Sequence, residues 1–262
     1  MITKQRHNLM IEMIKDKKTV SISQLAKELG ISSVTARRDV EFLEKQFKNI
    51  IRIRGGAEWK ADLPEYSTKG LNDRFQQQYE KNKEEKQQIA RKASSLIQDY
   101  ESVIIDAGST TFHLAQYLDS QKKITAFLTA VNIAEALEEK ENITKVLMGG
   151  IFRSRTTTIV SSVLKDSLSE LYADKVFIGV SGVSLEKGFT CHDLLEVEVK
   201  RMLAHSAREV YWLADSSKLD TIASFQVLDL ESRHTIITDD KIDSSILEQL
   251  KQKVNVIIAE RG

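Results

Sequence analysis

Ser23-Gln24-Leu25-Ala26-Lys27-Glu28-Leu29-Gly30-Ile31-Ser32-Ser33-Val34-Thr35-Ala36-Arg37-Arg38-Asp39-Val40 reads as two short helices joined by a tight turn. Ser23 is placed to cap a helix running through Leu29, and Gly30 can adopt the left-handed backbone that stops it. Ser32 is a second cap. From there Ala36, Val40, Leu43 and Phe47 recur on one helix face, so a third helix buries that stripe. The pattern is that of a helix-turn-helix. Upstream, residues 3–15 set Leu9, Met10, Met13 and Ile14 on one face of a first helix. Downstream, Ile50-Ile51-Arg52-Ile53-Arg54 alternates apolar and basic residues before Gly55-Gly56, a strand entering a turn and so a candidate wing.

With its stripe turned inward, the third helix offers Ser33, Val34, Thr35, Arg37 and Arg38 to a DNA groove. Arginine grips guanine bidentately, and serine or threonine hydroxyls serve bases or phosphates. Arg52 and Arg54, two residues apart, leave the same face of the wing toward a phosphate backbone or a minor groove. Charge agrees with this placement. The chain has no formal net charge, yet residues 1–56 hold 12 Lys+Arg against 6 Asp+Glu, so a basic head is attached to an acidic body.

Beyond residue 56 the chain is polar and contains its one proline, Pro64, which marks a connection between domains. The organisation expected is a winged helix-turn-helix over 1–58, a linker over 59–80 and an α/β domain over 81–262. Residues 81–97 read as a charged amphipathic helix. Apolar runs then follow at 103–106, 124–129, 144–148, 175–179, 210–214, 235–238 and 254–259, separated by helical spacers. Such alternation implies βαβ crossovers and a mostly parallel sheet covered on both faces.

Ligands of open parallel sheets bind beyond the carboxyl ends of the strands. The first run ends in Asp106-Ala107-Gly108-Ser109-Thr110-Thr111, where Gly108 admits a close ligand and three hydroxyls meet a helix N-terminus, a setting for an oxyanion. A plain capped turn fits the same residues. Thr129 and Asn132 follow the second run, Gly149 and Gly150 the third, and Lys218 lies in Asp215-Ser216-Ser217-Lys218 after a later one. Together these loops point to one crevice in which Lys218 neutralises a phosphate. Arg153 and Arg155 are either anion ligands or surface charges.

The segment 23–32, then Thr35-Ala36-Arg37-Arg38-Asp39-Val40 and Arg54-Gly55-Gly56-Ala57, resembles the N-terminal signature of DeoR-family regulators. The body resembles the same family in 106–111, Gly149-Gly150, Phe177-Ile178-Gly179-Val180-Ser181-Gly182, Glu198-Val199-Lys200-Arg201 and Ala214-Asp215-Ser216-Ser217-Lys218. The family pattern usually has isoleucine at the position of Ala36 and leucine at that of Val40. The resemblance implies a repressor of a sugar-metabolism operon that answers to a sugar phosphate. It also implies a sensor similar in fold to ribose-5-phosphate isomerase, with Ser109, Thr110, Thr111 and Lys218 as effector contacts.

An isomerase carrying a DNA-binding head is the rival reading. Proton transfer at a sugar carbon needs a placed carboxylate, and Gly179-Val180-Ser181-Gly182 holds none where related isomerases carry acidic residues. Glu196 lies four residues before Lys200, the spacing of a helical ion pair. The five histidines are too scattered for a metal site, and Cys191, the single cysteine, reads as a half-buried packing thiol. No cofactor is expected. No signal peptide or membrane span is evident, so a cytoplasmic protein is expected, with double-stranded operator DNA, a phosphorylated sugar and further copies of itself as partners.

Overall fold

The computed structural model describes residues 3–46, 50–59, 73–154, 156–160 and 170–260. The chain divides into two compact units, Met1–Gly70 and Leu71–Gly262.

The first unit runs α1 (Thr3–Lys17), β1 (Thr19–Ser21), α2 (Ile22–Leu29), α3 (Ser33–Gln46), β2 (Ile50–Ile53) and β3 (Gly56–Trp59). The cap of α2 is Ser21 and not Ser23. Ser21 accepts the Gln24 N–H while the Gln24 side chain accepts the Ser21 N–H. A helix capped by Ser23 would have Ala26 at the matching position, which cannot reciprocate. Gly30 ends α2 in the left-handed conformation, with φ 64°. At α3, the Thr35 N–H donates to Ser32 Oγ over 3.1 Å, so Ser32 acts as the expected cap. Met10, Ile14, Leu25, Ala36, Val40 and Leu43 share one core. Phe47, the last member of the stripe, lies outside the described residues. The wing hairpin β2–β3 gains β1 as a third strand, in the antiparallel order β1-β3-β2.

The second unit opens with α4 (Asp73–Glu80) and α5 (Lys83–Ser95). Sequence periodicity gives one helix over 81–97 and a linker before it; the chain instead breaks at Asn82, whose φ is 51°. The glutamines of α4 disguised it as linker. Its apolar side is aromatic: Phe75 meets the Phe112 ring edge-on at 5.6 Å, and Tyr79 stacks on His113 at 4.6 Å.

Seven strands form the central sheet: β4 (Ser102–Ile105), β5 (Ile124–Leu128), β6 (Ile143–Leu147), β9 (Ala173–Gly179), β12 (Ala207–Leu213), β14 (His234–Asp239) and β15 (Asn255–Ala259). Their order is β15-β14-β12-β9-β4-β5-β6, and every pairing is parallel. Each corresponds to one of the seven apolar runs. One apolar cluster, with Ile104, Val176 and Trp212, covers one face, and another, with Ile105, Phe177 and Tyr211, covers the other. Helices α6 (Ser109–Tyr117), α7 (Val131–Ala136), α8 (Leu194–His205) and α9 (Ser244–Lys251) supply the layers. The hairpin β7 (Ile151–Arg153) and β8 (Thr158–Val160) and the antiparallel sheet of β10 (Gly182–Ser184), β11 (Gly188–Cys191) and β13 (Phe225–Leu228) are not foreseen. Strands of three or four residues are too short to carry a period of two. Cys191 is fully buried on β11 rather than half-buried.

Gly56 pairs with Ser21, and a Cβ there would lie 2.3 Å from the Val20 carbonyl oxygen. Backbone cannot yield as a side-chain tip can. Gly56→Ala is therefore expected to destabilise the first unit by about 2 kcal/mol, while Gly182→Ser would act only on the second. Separate calorimetric transitions of the two units check this.

Candidate functional site

In the first unit, α3 turns Ala36, Val40 and Leu43 inward. Ser33, Val34, Arg37 and Arg38 are exposed, Val34 to 78%. Thr35 is half-buried and its hydroxyl lies 2.8 Å from Ser32 Oγ, so it serves the cap. On the wing, Arg52 is exposed but pairs with Glu41 at 3.0 Å and donates its N–H to Glu44, which braces the wing on α3. Arg54 is exposed in the turn after β2. Asp39, in the segment that resembles the family signature, is the buried anchor of α3. Its carboxylate accepts from Arg6 at 2.6 Å and lies 3.1 Å from His7 Nε2, tying α3 to α1. Burial disfavours its charge, but the bonds from Arg6 and His7 outweigh this and hold its pKa below the ordinary value.

In the second unit, a cleft of about 230 Å³ opens beyond the carboxyl ends of β4, β9 and β12. Its size suits a small metabolite more than a drug-sized ligand. The floor is an ion pair: Lys200 Nζ of α8 donates to Asp106 Oδ2 at 2.5 Å and to the Gly179 carbonyl at 2.8 Å. Both side chains are about one-twentieth exposed. Burial opposes the Lys200 charge, but Asp106 and Glu196 more than offset it, and its pKa stands above the ordinary value. The ammonium reaches the strand ends, and Glu196, four residues earlier on the same helix, also favours its charge. Asp106 also accepts the Gly179 N–H at 3.3 Å and the Thr129 hydroxyl at 3.4 Å.

Gly108, Ser109, Thr110 and Lys218 line the cleft. Thr110 Oγ1 is buried and has no hydrogen-bond partner among the described residues. Lys218 donates to the Val180 carbonyl at 2.7 Å, and Asp215 lies 3.9 Å away. Burial first, then Lys200 and Lys81, lower its pKa. The remaining expected residues fall behind or beside the cleft. Thr111 bonds the Gly108 carbonyl, Thr129 accepts the Ala107 N–H, and Asn132 lies on α7 outside the lining. Gly149 and Gly150 are exposed after β6, the edge strand, whereas the cleft gathers the loops of the central strands. Arg153 pairs with Asp193 at 2.7 Å, and Arg155 lies outside the described residues.

Sequence reasoning missed Asn82 and Lys86. Asn82 donates to Asp215 at 2.9 Å and to Ser217 at 2.8 Å. Lys86 is buried in the apolar phase of α5 with Ile89, Ala90 and Ala93, and a lysine in such a stripe was the available signal. It donates to the carbonyls of Gln78 and Lys81 at the end of α4. Burial, then the Lys218 charge, push its pKa down to about 8.

Residues 6–61 match the DeoR-like helix-turn-helix domain, and residues 81–240 match the DeoR C terminal sensor domain. The chain belongs to the DeoR family and is a DNA-binding transcriptional regulator. It is 32% identical over 262 residues to the HTH-type transcriptional repressor GlcR of Bacillus subtilis (strain 168), covering 100% of this chain and 98% of that one. It is 31% identical over 259 residues to the lactose phosphotransferase system repressor of Lactococcus lactis subsp. lactis, covering 98% and 99%. Among solved structures, ribose 5-phosphate isomerase A of Methanocaldococcus jannaschii is similar at a TM-score of 0.39 and 19% identity, over 53% of this chain and 55% of that one.

Breaking one side of a buried pair strands the other charge. Asp106→Ala should cost about 3–5 kcal/mol of sensor stability, and Asp106→Val combined with Lys200→Met markedly less. Urea unfolding of the three proteins gives the comparison.

Proposed function

We propose that the protein represses a carbohydrate-metabolism operon in the cytoplasm and is controlled by a phosphorylated sugar bound in the cleft. Thr110 carries the effector reading: a hydroxyl 2% exposed, without a partner among the described residues, at the N-terminus of α6 and on a wall shared with three lysines. Unpaired helix N–H groups and the helix dipole favour an anion at that place. Among the described lining residues, Lys81, Lys86 and Lys218 gather around Asp215 at this end of the cleft, a cluster of cations that suits a phosphate monoester. Gly108 and Ser109 complete the cradle, and Asp106, Thr111 and Thr129 hold its backbone.

The head reads operator DNA through Ser33, Val34, Arg37 and Arg38 in the major groove, with Arg54 and the braced Arg52 on the backbone. Thr35 supports the first turn. Homo-oligomers place two heads on two half-sites. Lys86 couples ligand to linker: its ammonium closes the carbonyls that end α4, so a bound phosphate competes with α4 for it. As a sensor the protein needs no chemistry on its ligand, and two carboxylates of the cleft are already engaged, Asp106 by Lys200 and Asp215 by Asn82 and Ser217.

Arg37→Ala with Arg38→Ala should weaken specific operator binding at least about 100-fold with unchanged melting of either unit; full affinity in a gel-shift titration would remove these residues from the interface. Lys218→Ala should retain DNA binding and lose the response to sugar phosphate. The Lys86 pKa of about 8 lies below its ordinary 10.5, so above pH 8 the empty site increasingly holds a neutral amine. A phosphate dianion favours the ammonium and draws in a proton. Phosphate affinity should therefore fall as pH rises through about 8, and Lys86→Arg should flatten the profile in calorimetric titrations.

A further inference from the structure

Lysines, hydroxyls and a helix N-terminus suit the phosphate of a ligand and leave its carbon skeleton to another wall of the cleft. Among the described lining residues the apolar side chains are those of Phe75, Ala107 and Val180, and Phe75 is much the largest. It comes from α4. Phe75 and Gln78 of that helix, with Lys81 just after it, line the cleft at a spacing of three, which puts them on one side of the helix.

The Phe75 ring is held in place by its neighbours. It meets Phe112 edge-on at 5.6 Å and lies over Tyr79 at 6.1 Å, and Tyr79 in turn stacks on His113 at 4.6 Å. Phe112 stands in the first turn of α6, where its N–H bonds the Gly108 carbonyl at 2.9 Å. Phe75 is therefore anchored to the same turn of helix that carries Ser109 and Thr110. These contacts do not bury it completely: the residue is half-buried and borders the cleft.

We propose that Phe75 is the platform for the carbon skeleton of the effector, so that the sensor selects a sugar phosphate over inorganic phosphate and α4 forms part of the effector site. The inference rests on the phosphate reading given under Proposed function. A sugar ring carries hydroxyls around its edge and C–H groups on its faces. An aromatic ring accepts such a C–H face, gaining from the apolar area covered and from weak C–H contacts to its π face. A ring already fixed by Phe112 and Tyr79 loses little freedom when a ligand covers it. With its phosphate at the start of α6 and its skeleton on Phe75, one ligand touches both helices. In the order of described elements α4 follows β3 of the wing, so this contact falls on the first sensor helix after the head.

The test is calorimetric titration of the full chain with inorganic phosphate, glucose 6-phosphate, galactose 6-phosphate, fructose 1-phosphate and fructose 6-phosphate. Wild type should bind at least one sugar phosphate about tenfold or more tighter than inorganic phosphate. Phe75→Ala should weaken that sugar phosphate about tenfold and leave inorganic phosphate, which needs only the cradle, within about twofold of wild type. Phe75→Trp keeps an aromatic face and should retain the preference. Its added indole should change fluorescence with that sugar phosphate and not with inorganic phosphate, against the baseline of wild type with Trp59 and Trp212. No preference for any sugar phosphate in wild type, or a preference unchanged in Phe75→Ala, overturns the platform and leaves the phosphate reading standing. Equal weakening of sugar phosphate and inorganic phosphate in Phe75→Ala, or an indole indifferent to the sugar phosphate, reduces Phe75 to packing and also overturns it. If no phosphate compound binds wild type at all, the phosphate reading falls and this inference with it.

Discussion

The sensor is organised around one buried ion pair. Asp106 follows β4 and Gly179 ends β9, the two neighbouring strands at the middle of the sheet, and Lys200 from α8 joins them by bonding both. Desolvating two charges is costly and is offset only when the geometry is good and the remaining lone pairs are filled. Here Thr129 and the Gly179 N–H fill those of Asp106. The pair thereby fixes the loop from Ala107 to Thr111, the backbone of 179–181 and the first turns of α8. Asp106 offsets the Lys200 charge, and Lys81, Lys86 and Lys218 bring further positive charge to the cleft.

The head depends on a smaller version of the same device. Asp39 ties the recognition helix to α1, and Arg52 ties it to the wing through Glu41. Arg37 and Arg38 then extend from a helix held at its inner face and side, which lets two flexible side chains act from a fixed platform. In the sensor unit, α4 is held by aromatic contacts to α6 and by Lys86, and the same lysine faces the cleft. A ligand that binds the Lys86 ammonium differently from the α4 carbonyls supplies the differential affinity that any switch requires.

Much of this was legible in the sequence because strong periodicity carried it. All seven strands of the parallel sheet appear as apolar runs, and the stripe Ala36, Val40, Leu43 gave the recognition helix its orientation. What escaped had weaker signals. A capping box competes with a simple cap, and the glutamine at Gln24 decided for Ser21. Helix α4 looked like linker because its few apolar residues are aromatic and widely spaced. The site followed the same rule: the Gly108–Thr110 turn and Lys218 were found from strand ends. Asn82 and Lys86 come from helices that precede the sheet in sequence and reach its carboxyl edge only in three dimensions. Gly149 and Gly150 satisfied the strand-end rule, but sequence does not reveal that their strand lies at the sheet's edge.

On the proposed function, one polypeptide reads DNA with a basic head and reports on a phosphorylated ligand in its sensor. Fluorescence polarisation on the DNA upstream of its own gene, at two salt concentrations with and without sugar phosphates, tests it most directly. Specific binding is expected to weaken with salt, as phosphate contacts require, and to be altered at fixed salt by at least one sugar phosphate. Specific binding indifferent to every sugar phosphate would break the link between cleft and head, and absence of specific binding under all conditions would overturn the DNA-reading role of the head as well.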